Sequence, residues 1–348
     1  MKERLKDVFG CLSHLSTKVK EARRLFAVDE ETYGGLLNPF SVDGSKIINS
    51  KAFRRLADKT QVITGPWNGL IRNRNSHTME VVSIATTIAE ILGLNVELTR
   101  AIALGHDIGH VPFGHVGEDF LKKVTGKDFG HEVFGPIVAQ KIERGGKGMN
   151  LTKQTLLGIL FHSRREKDLV VHDLMSQEAV AVMFADKIAY TTSDYNDFVH
   201  RLKLPKKWIN PVIDEMSHLG FDQRERTRKL VCSLCLESNE LGKVGFRDDS
   251  QASKVLKFIR SLMYDIYPRV NIHGYEEALK RLLDYLTDIL GDQDKAVLMF
   301  CLMTDKDVLS MTRKNTFDIT DLELTSIWEM KDTILDLNID IFDPGLAW

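Results

Sequence analysis

The sequence predicts an all-α protein. Apolar residues recur at helical spacing along most of the 348 residues, strand-like alternation is scarce, and no repeat of fixed period appears. The clearest helix begins at His77, with Val81, Ile84, Ala85, Ile88, Ile91 and Leu92 on one face and Gly93 as its stop.

Taken in order, residues 1–33 read as one or two amphipathic helices, with a loop at Gly34-Gly35 and Asn38-Pro39. Ser45–Ile63 follows, and Pro66–Asn73 reads as a loop or short hairpin, the place best suited to a little β structure. After Gly93, Asn95 or Thr99 starts a helix that carries Ala101–Leu104 into His106-Asp107. Helices are expected over Val116–Val124, His131–Arg144, Thr152–Ser163 and Ser176–Leu202. Gly145-Gly146-Lys147-Gly148 lacks the spacing of a phosphate-binding P-loop and reads as a helix-to-helix turn. Beyond Pro205, helices are expected over Pro211–Leu219, Arg224–Glu240, Ser253–Tyr267, Glu276–Gly291 and Asp294–Leu302, with Leu335–Trp348 as an extended tail. The chain thus divides into a core with an N-terminal extension, 1–205, and a helical region, 206–348. The latter would serve as substrate wall, regulatory element or oligomer interface.

Composition narrows the function. With 43% hydrophobic and 28% charged residues and a formal net charge of -2, the chain is not a constitutively basic nucleic-acid binder. No run approaches the roughly 20 apolar residues of a membrane span. The N-terminus MKERLKDVFG lacks the apolar centre of a signal peptide. The four cysteines show no disulfide framework, which suits a reducing cytoplasm, and Cys232-Ser-Leu-Cys235 reads as packing.

Chemistry concentrates in AIALGHDIGHVPFGHVGE, Ala101–Glu118. It places His106, Asp107, His110, His115 and Glu118 within thirteen residues and punctuates them with glycine. Imidazole beside carboxylate is ligand chemistry for a divalent metal. His106 and Asp107 are neighbours, so both can reach one ion only where a helix ends. Further ligands must come from other elements, and His77 and Asp186 are the best placed. Asp186 sits in the apolar stretch AVAVMFADKIAY, where an unpaired carboxylate is costly. A metal or a salt bridge with Lys187 or a buried arginine would remove that cost. Tyr190, Asp194 and Asp197 share its helix face, which is either a solvated stripe or a pocket wall. Arg54, Arg55, Lys59, Arg72, Arg74 and Lys187 lie near these residues in sequence and suit phosphate.

Arg74-x-x-His77, His106-Asp107 and Asp186 resemble the signature of the HD phosphohydrolases. ALGHDIGHVPFGHVGE closely resembles the deoxynucleoside triphosphate triphosphohydrolases within that superfamily. AFRRLADKTQV (52–62), RNRNSHTMEV (72–81), Phe129-Gly130-His131 and EAVAVMFADKIAYTTSDYND (178–197) extend the likeness over roughly residues 38–200. The resemblance implies an HD-domain fold and the hydrolysis of dNTPs, dGTP or more broadly, to deoxynucleoside and inorganic triphosphate. It implies one divalent ion, with manganese, iron, zinc, magnesium and cobalt undistinguished, held by His77, His106, Asp107 and Asp186. His115 would act as the acid, oriented by Glu118, with His110 in support. Arg74, His131 and Lys187 would contact the phosphates, and Gln61, Tyr190 and Asp194 the deoxyribose. It further implies a cytoplasmic homo-oligomer, tetramer or hexamer, with single-stranded DNA or a nucleotide as effector. Ser193 and Glu132 depart from the histidine and asparagine common in relatives.

Two alternatives remain at this point. One is an HD phosphohydrolase acting on nucleoside monophosphates or signalling nucleotides, which usually lacks the PFGHxGE extension present here. The other is a non-catalytic HD protein that senses nucleotides or single-stranded DNA.

Overall fold

The computed structural model describes residues 6–26, 34–63, 68–163, 171–202, 204–270, 275–313 and 317–345. Among them the architecture is all helical. The only β contacts are two isolated antiparallel bridges, Arg24 with Thr152 and Thr60 with Asn73. The second closes the loop where a hairpin was expected; residues 64–67 of that stretch lie outside the described ones.

The N-terminal expectation is corrected over its described part; residues 1–5 and 27–33 lie outside the described ones. Residues 7–26 form turns and short 3-10 segments, Ser13–Leu15 and Val19–Glu21, rather than an amphipathic helix. Their backbone is satisfied from outside instead. Gly10 and Leu12 donate to the carbonyls of Ile91 and Leu92, and Thr17 N–H donates to Glu178 at 2.9 Å.

Helix α1 (Pro39–Ile48) starts with proline behind an Asn38 cap, and α2 (Lys51–Arg55) starts behind Ser50. Helix α3 (Arg74–Leu92) opens on a reciprocal Asn73–Ser76 capping box and stops at Gly93, whose φ is 77°. Helix α4 (Val96–Gly105) is capped by Asn95. Helices α5 (His115–Thr125) and α6 (His131–Ile137) follow. Pro136 removes a donor from α6, and the chain widens into a π segment at Val138–Ile142, so the long helix expected to Arg144 is not regular. Helix α7 (Lys153–Phe161) and the long α8 (Gln177–Asn196) complete the N-terminal part, α8 passing into a π segment at Asp197–Arg201.

The C-terminal part holds α9 (Lys206–Ser217), α10 (Gln223–Leu241), α11 (Gln251–Val270), α12 (Glu276–Leu290) and α13 (Gln293–Leu302). Three short helices were not expected: α14 (Asp305–Thr312), α15 (Ile319–Glu323) and α16 (Lys331–Asp336). Each is only one or two turns long, too short for periodicity to stand out. The last overlaps the start of the predicted tail; residues 346–348 lie outside the described ones.

Two apolar clusters position the site. One joins α3, α8, α9, α10 and α11; the other joins α2, α5–α7 and α12–α16. Helix α4 threads the seam, with Ile102 and Ala103 in the first cluster and Leu104 in the second. The residues after it, His106 and Asp107, therefore emerge between the two.

Candidate active site

The helical end after Gly105 lets neighbouring side chains converge. His106 donates Nδ1–H to the Ala103 carbonyl at 2.7 Å, which leaves a lone pair on Nε2. That Nε2 is buried without a hydrogen-bond partner. His77, in the first turn of α3, brings Nε2 to 3.0 Å from Asp186 Oδ1 on α8, and its Nδ1 has no hydrogen-bond partner. Asp107 Oδ2 accepts from Arg74 Nη1 at 2.8 Å, and its Oδ1 lies 3.2 Å from His110 Nε2. One ligand atom from each of His77, His106 and Asp107 falls within 4.8 Å of the others, and the same holds for Asp107, His110 and His131. Asp186 reaches the first group through His77, and Lys187 Nζ donates to its other oxygen at 2.8 Å.

Charge is distributed to suit a cation. Burial holds the His77 and His110 imidazoles below their ordinary range, leaving them neutral near pH 7. Burial alone would raise Asp107. The neighbouring His106, Arg74 and His110 more than reverse that and hold it well below the usual carboxylate range. For Asp186, Lys187 and His77 overcome burial in the same way. Neutral imidazoles and ionised carboxylates with unsatisfied lone pairs are the donor set of a first-row divalent ion. The residues present fit such an ion.

Glu118 organises the adjoining side. Its Oε2 accepts from His115 Nδ1 at 2.8 Å, and its Oε1 accepts from both the backbone N–H and the Nδ1 of His131, at 3.1 and 2.8 Å. Against burial, His131 and His115 hold Glu118 well below the ordinary carboxylate range, and Glu118 in turn raises His131 despite burial. His110 stacks on His131 with centroids 3.6 Å apart. His115 differs from these, its side chain being 72% exposed.

Glycine makes this packing possible. A Cβ on Gly109 would lie 2.2 Å from the His131 carbonyl and 2.3 Å from Gly135 N, so α6 meets the histidine loop backbone to backbone.

His162 escaped the sequence reading. It lies buried past the end of α7, donates Nδ1–H to the Ile159 carbonyl at 2.7 Å and faces His131 Nε2 with its own Nε2 at 3.3 Å. Its ring also meets His106 edge-on at 5.2 Å. The one available signal was a histidine closing the apolar run TLLGILF.

The face bearing Tyr190, Asp194 and Asp197 is a buried wall rather than a solvated stripe. Arg72 binds Glu80 at 2.6 Å, Asp197 at 3.4 Å, and Asp194. Tyr267 of α11 donates its hydroxyl to Asp194 at 2.9 Å, and Arg260 of α11 donates to the Tyr190 hydroxyl. Burial pushes the Asp194 carboxyl up to about 7 against the pull of Arg72. Arg260 and Tyr267 were missed because some 70 residues of chain separate them from α8.

The proposed phosphate cations divide. Arg74 and Lys187 lie at the cluster, each on a carboxylate, and Arg74 Nη2 also reaches the Gln61 carbonyl at 3.3 Å. Gln61 Oε1 is buried without a hydrogen-bond partner. Arg54 is exposed, Arg55 turns to Glu143 and the Met330 sulfur, Arg72 belongs to the wall, and Lys59 points to the His110 carbonyl. Cys232 and Cys235 are buried free thiols in α10.

Comparison with known proteins accords with this geometry. The HD domain family model matches residues 74–191, spanning α3 to α8. A "Deoxyguanosinetriphosphate triphosphohydrolase-like protein" of Clostridium tetani is 38% identical over 243 residues, 68% of either chain. A protein of the same name from Desulfatibacillum aliphaticivorans is 32% identical over 80% of this chain and 82% of its own. A third, from Caldanaerobacter subterraneus subsp. tengcongensis, is 35% identical over 80% and 79%. The chain belongs to this family. It is an HD-domain phosphohydrolase, and HD domains bind divalent metals. Among the described residues no helix is long and apolar enough to cross a membrane.

Proposed function

We propose that the protein hydrolyses deoxynucleoside triphosphates at the α-phosphorus, releasing inorganic triphosphate and a deoxynucleoside. The name shared by relatives 32–38% identical supports the substrate class. The carrying observation in the structure is the Glu118 carboxylate, which ties exposed His115 to the buried imidazoles beside Asp107.

His77, His106, Asp107 and Asp186 would hold one divalent ion. When bound, it supplies a Lewis acid for a phosphoryl oxygen and lowers the pKa of water. The chain's own side chains do the rest. With Nδ1 held on Glu118, His115 presents Nε2 to the leaving 5′-oxygen and gives it a proton. Glu118 stays ionised and steadies the imidazolium, and His131 and His110 line the phosphate side of the same carboxylate. Arg74 and Lys187 neutralise phosphate charge while keeping their grip on Asp107 and Asp186. Tyr190, Asp194 and Gln61 border the deoxyribose, where a tight fit excludes a 2′-hydroxyl. Residues 206–348 pack on this core and, through α11, close the sugar side.

The test is incubation of metal-loaded protein with each dNTP and NTP, with products resolved by 31P NMR. Inorganic triphosphate from dNTPs is expected. Pyrophosphate or monophosphate as the product sinks the reading.

A further inference from the structure

The turn that presents His115 has an unusual backbone. Phe113 adopts φ 62° and Gly114 φ 57°, immediately before α5 begins at His115. The left-handed region is disfavoured for a residue with a Cβ, so Phe113 must be held there by its surroundings. The holder comes from the far end of the chain. Asp305, the first residue of α14 and only 5% exposed, accepts the Phe113 N–H on Oδ1 and the Thr60 N–H on Oδ2, each at 2.8 Å. Beside it, buried Lys59 donates Nζ–H to the His110 carbonyl and to the Cys301 carbonyl, the latter at 3.5 Å. The same segment runs back to the metal-side cluster. Arg74 N–H donates to the Lys59 carbonyl at 3.0 Å, and a Cβ on Gly114 would lie only 2.7 Å from Arg74 Nη2.

We propose that Asp305 is a positioning residue for His115, with its carboxylate bridging Phe113 and Thr60 so that the strained turn aims the imidazole along Glu118. Lys59 fixes the other end of the turn at His110. Both groups gripped by Asp305 are donors, so both oxygens must accept. Asparagine offers one acceptor and one donor, which turns one of the two contacts into N–H against N–H. The proposal rests on the reading of His115 as proton donor above. It adds that the region beyond residue 205 helps set the geometry of that donor.

The test uses the full chain, metal-loaded, with Asp305→Asn, His115→Ala and the double variant. Asp305→Asn is expected to lower kcat about 10- to 100-fold, as a misplaced catalytic group does. KM and metal content should stay within about two-fold of wild type, since no substrate contact of this reading is touched. Added to His115→Ala, it should cost nothing further, because the group it positions is already gone. Hydrogen exchange of the peptide spanning 108–118 should quicken, with α3 and α8 unchanged. An unaltered kcat, a further loss of equal size in the His115→Ala background, or unchanged exchange overturns the proposal. If Asp305→Asn fails to fold, Asp305→Glu is read the same way, since it keeps both acceptors and displaces them by one methylene. Exchange needs no substrate. A wild-type chain that releases no triphosphate therefore overturns the proposed function, while the exchange result still decides the clamp.

Discussion

The two sides of the site treat buried charge in opposite ways. On the metal side, His77, His106 and His110 each keep a ring nitrogen without a hydrogen-bond partner. On the wall side, Arg72, Asp194, Asp197, Glu80 and Tyr267 satisfy one another. Leaving buried polar atoms unpaired costs stability, so a protein keeps them where a ligand will complete them. The first side is built to be finished by something bound. On the second, the network around Arg72 is completed by its own members and serves as shape.

The largest effect should come from the unfinished side. Asp107→Ala is expected to lose metal, measured by plasma mass spectrometry, and to lose activity by more than about 1,000-fold. Metal retained at wild-type stoichiometry would remove Asp107 from the ligand set. His115→Ala should keep its metal and lose about 100- to 10,000-fold in kcat, the span of general acid catalysis. Full turnover in that variant sinks the acid assignment.

On the wall side the effects should be smaller and fall on binding or stability. Tyr267→Phe removes the hydroxyl donor to Asp194, and about 1 kcal/mol of stability should go with it in urea titrations, metal content unchanged. Metal loss there would mean that the two sides are not separate. The last effect is a pH slope. Asp194 holds its proton up to about pH 7 in the fold against 3.8 unfolded, so between those values the native state binds more protons. Wild-type stability therefore falls as pH rises from about 4 to 7, and Asp194→Asn lacks that contribution. A difference between the two proteins that stays constant across the window contradicts the shift.

Sequence made the histidine cluster legible and the wall only half so. His106, Asp107, His110, His115 and Glu118 are close in the chain, and the glycines between them advertised a turn. Asp186 stood out as a carboxylate in an apolar stretch, and it does bind Lys187, as one of the two readings held. The wall depends on α8 meeting α11, a contact between residues about 70 apart that no local pattern encodes. His162 was hidden for the same reason, since only the fold places it against His131 and His106. Helix boundaries followed capping residues closely at Asn95 and Gly93, where local chemistry decides them, whereas α3 starts at Arg74 behind Asn73, three residues before the expected His77. They failed over 7–26, where the backbone takes its partners from α3 and Glu178.

The bare backbone contact at Gly109 has a mechanical consequence. Because Gly109 and Gly135 leave no layer of side chains between the histidine loop and α6, the two behave as one rigid part. His110 and His131, stacked face to face across that joint, must travel together. A ligand that presses on either ring is felt at both.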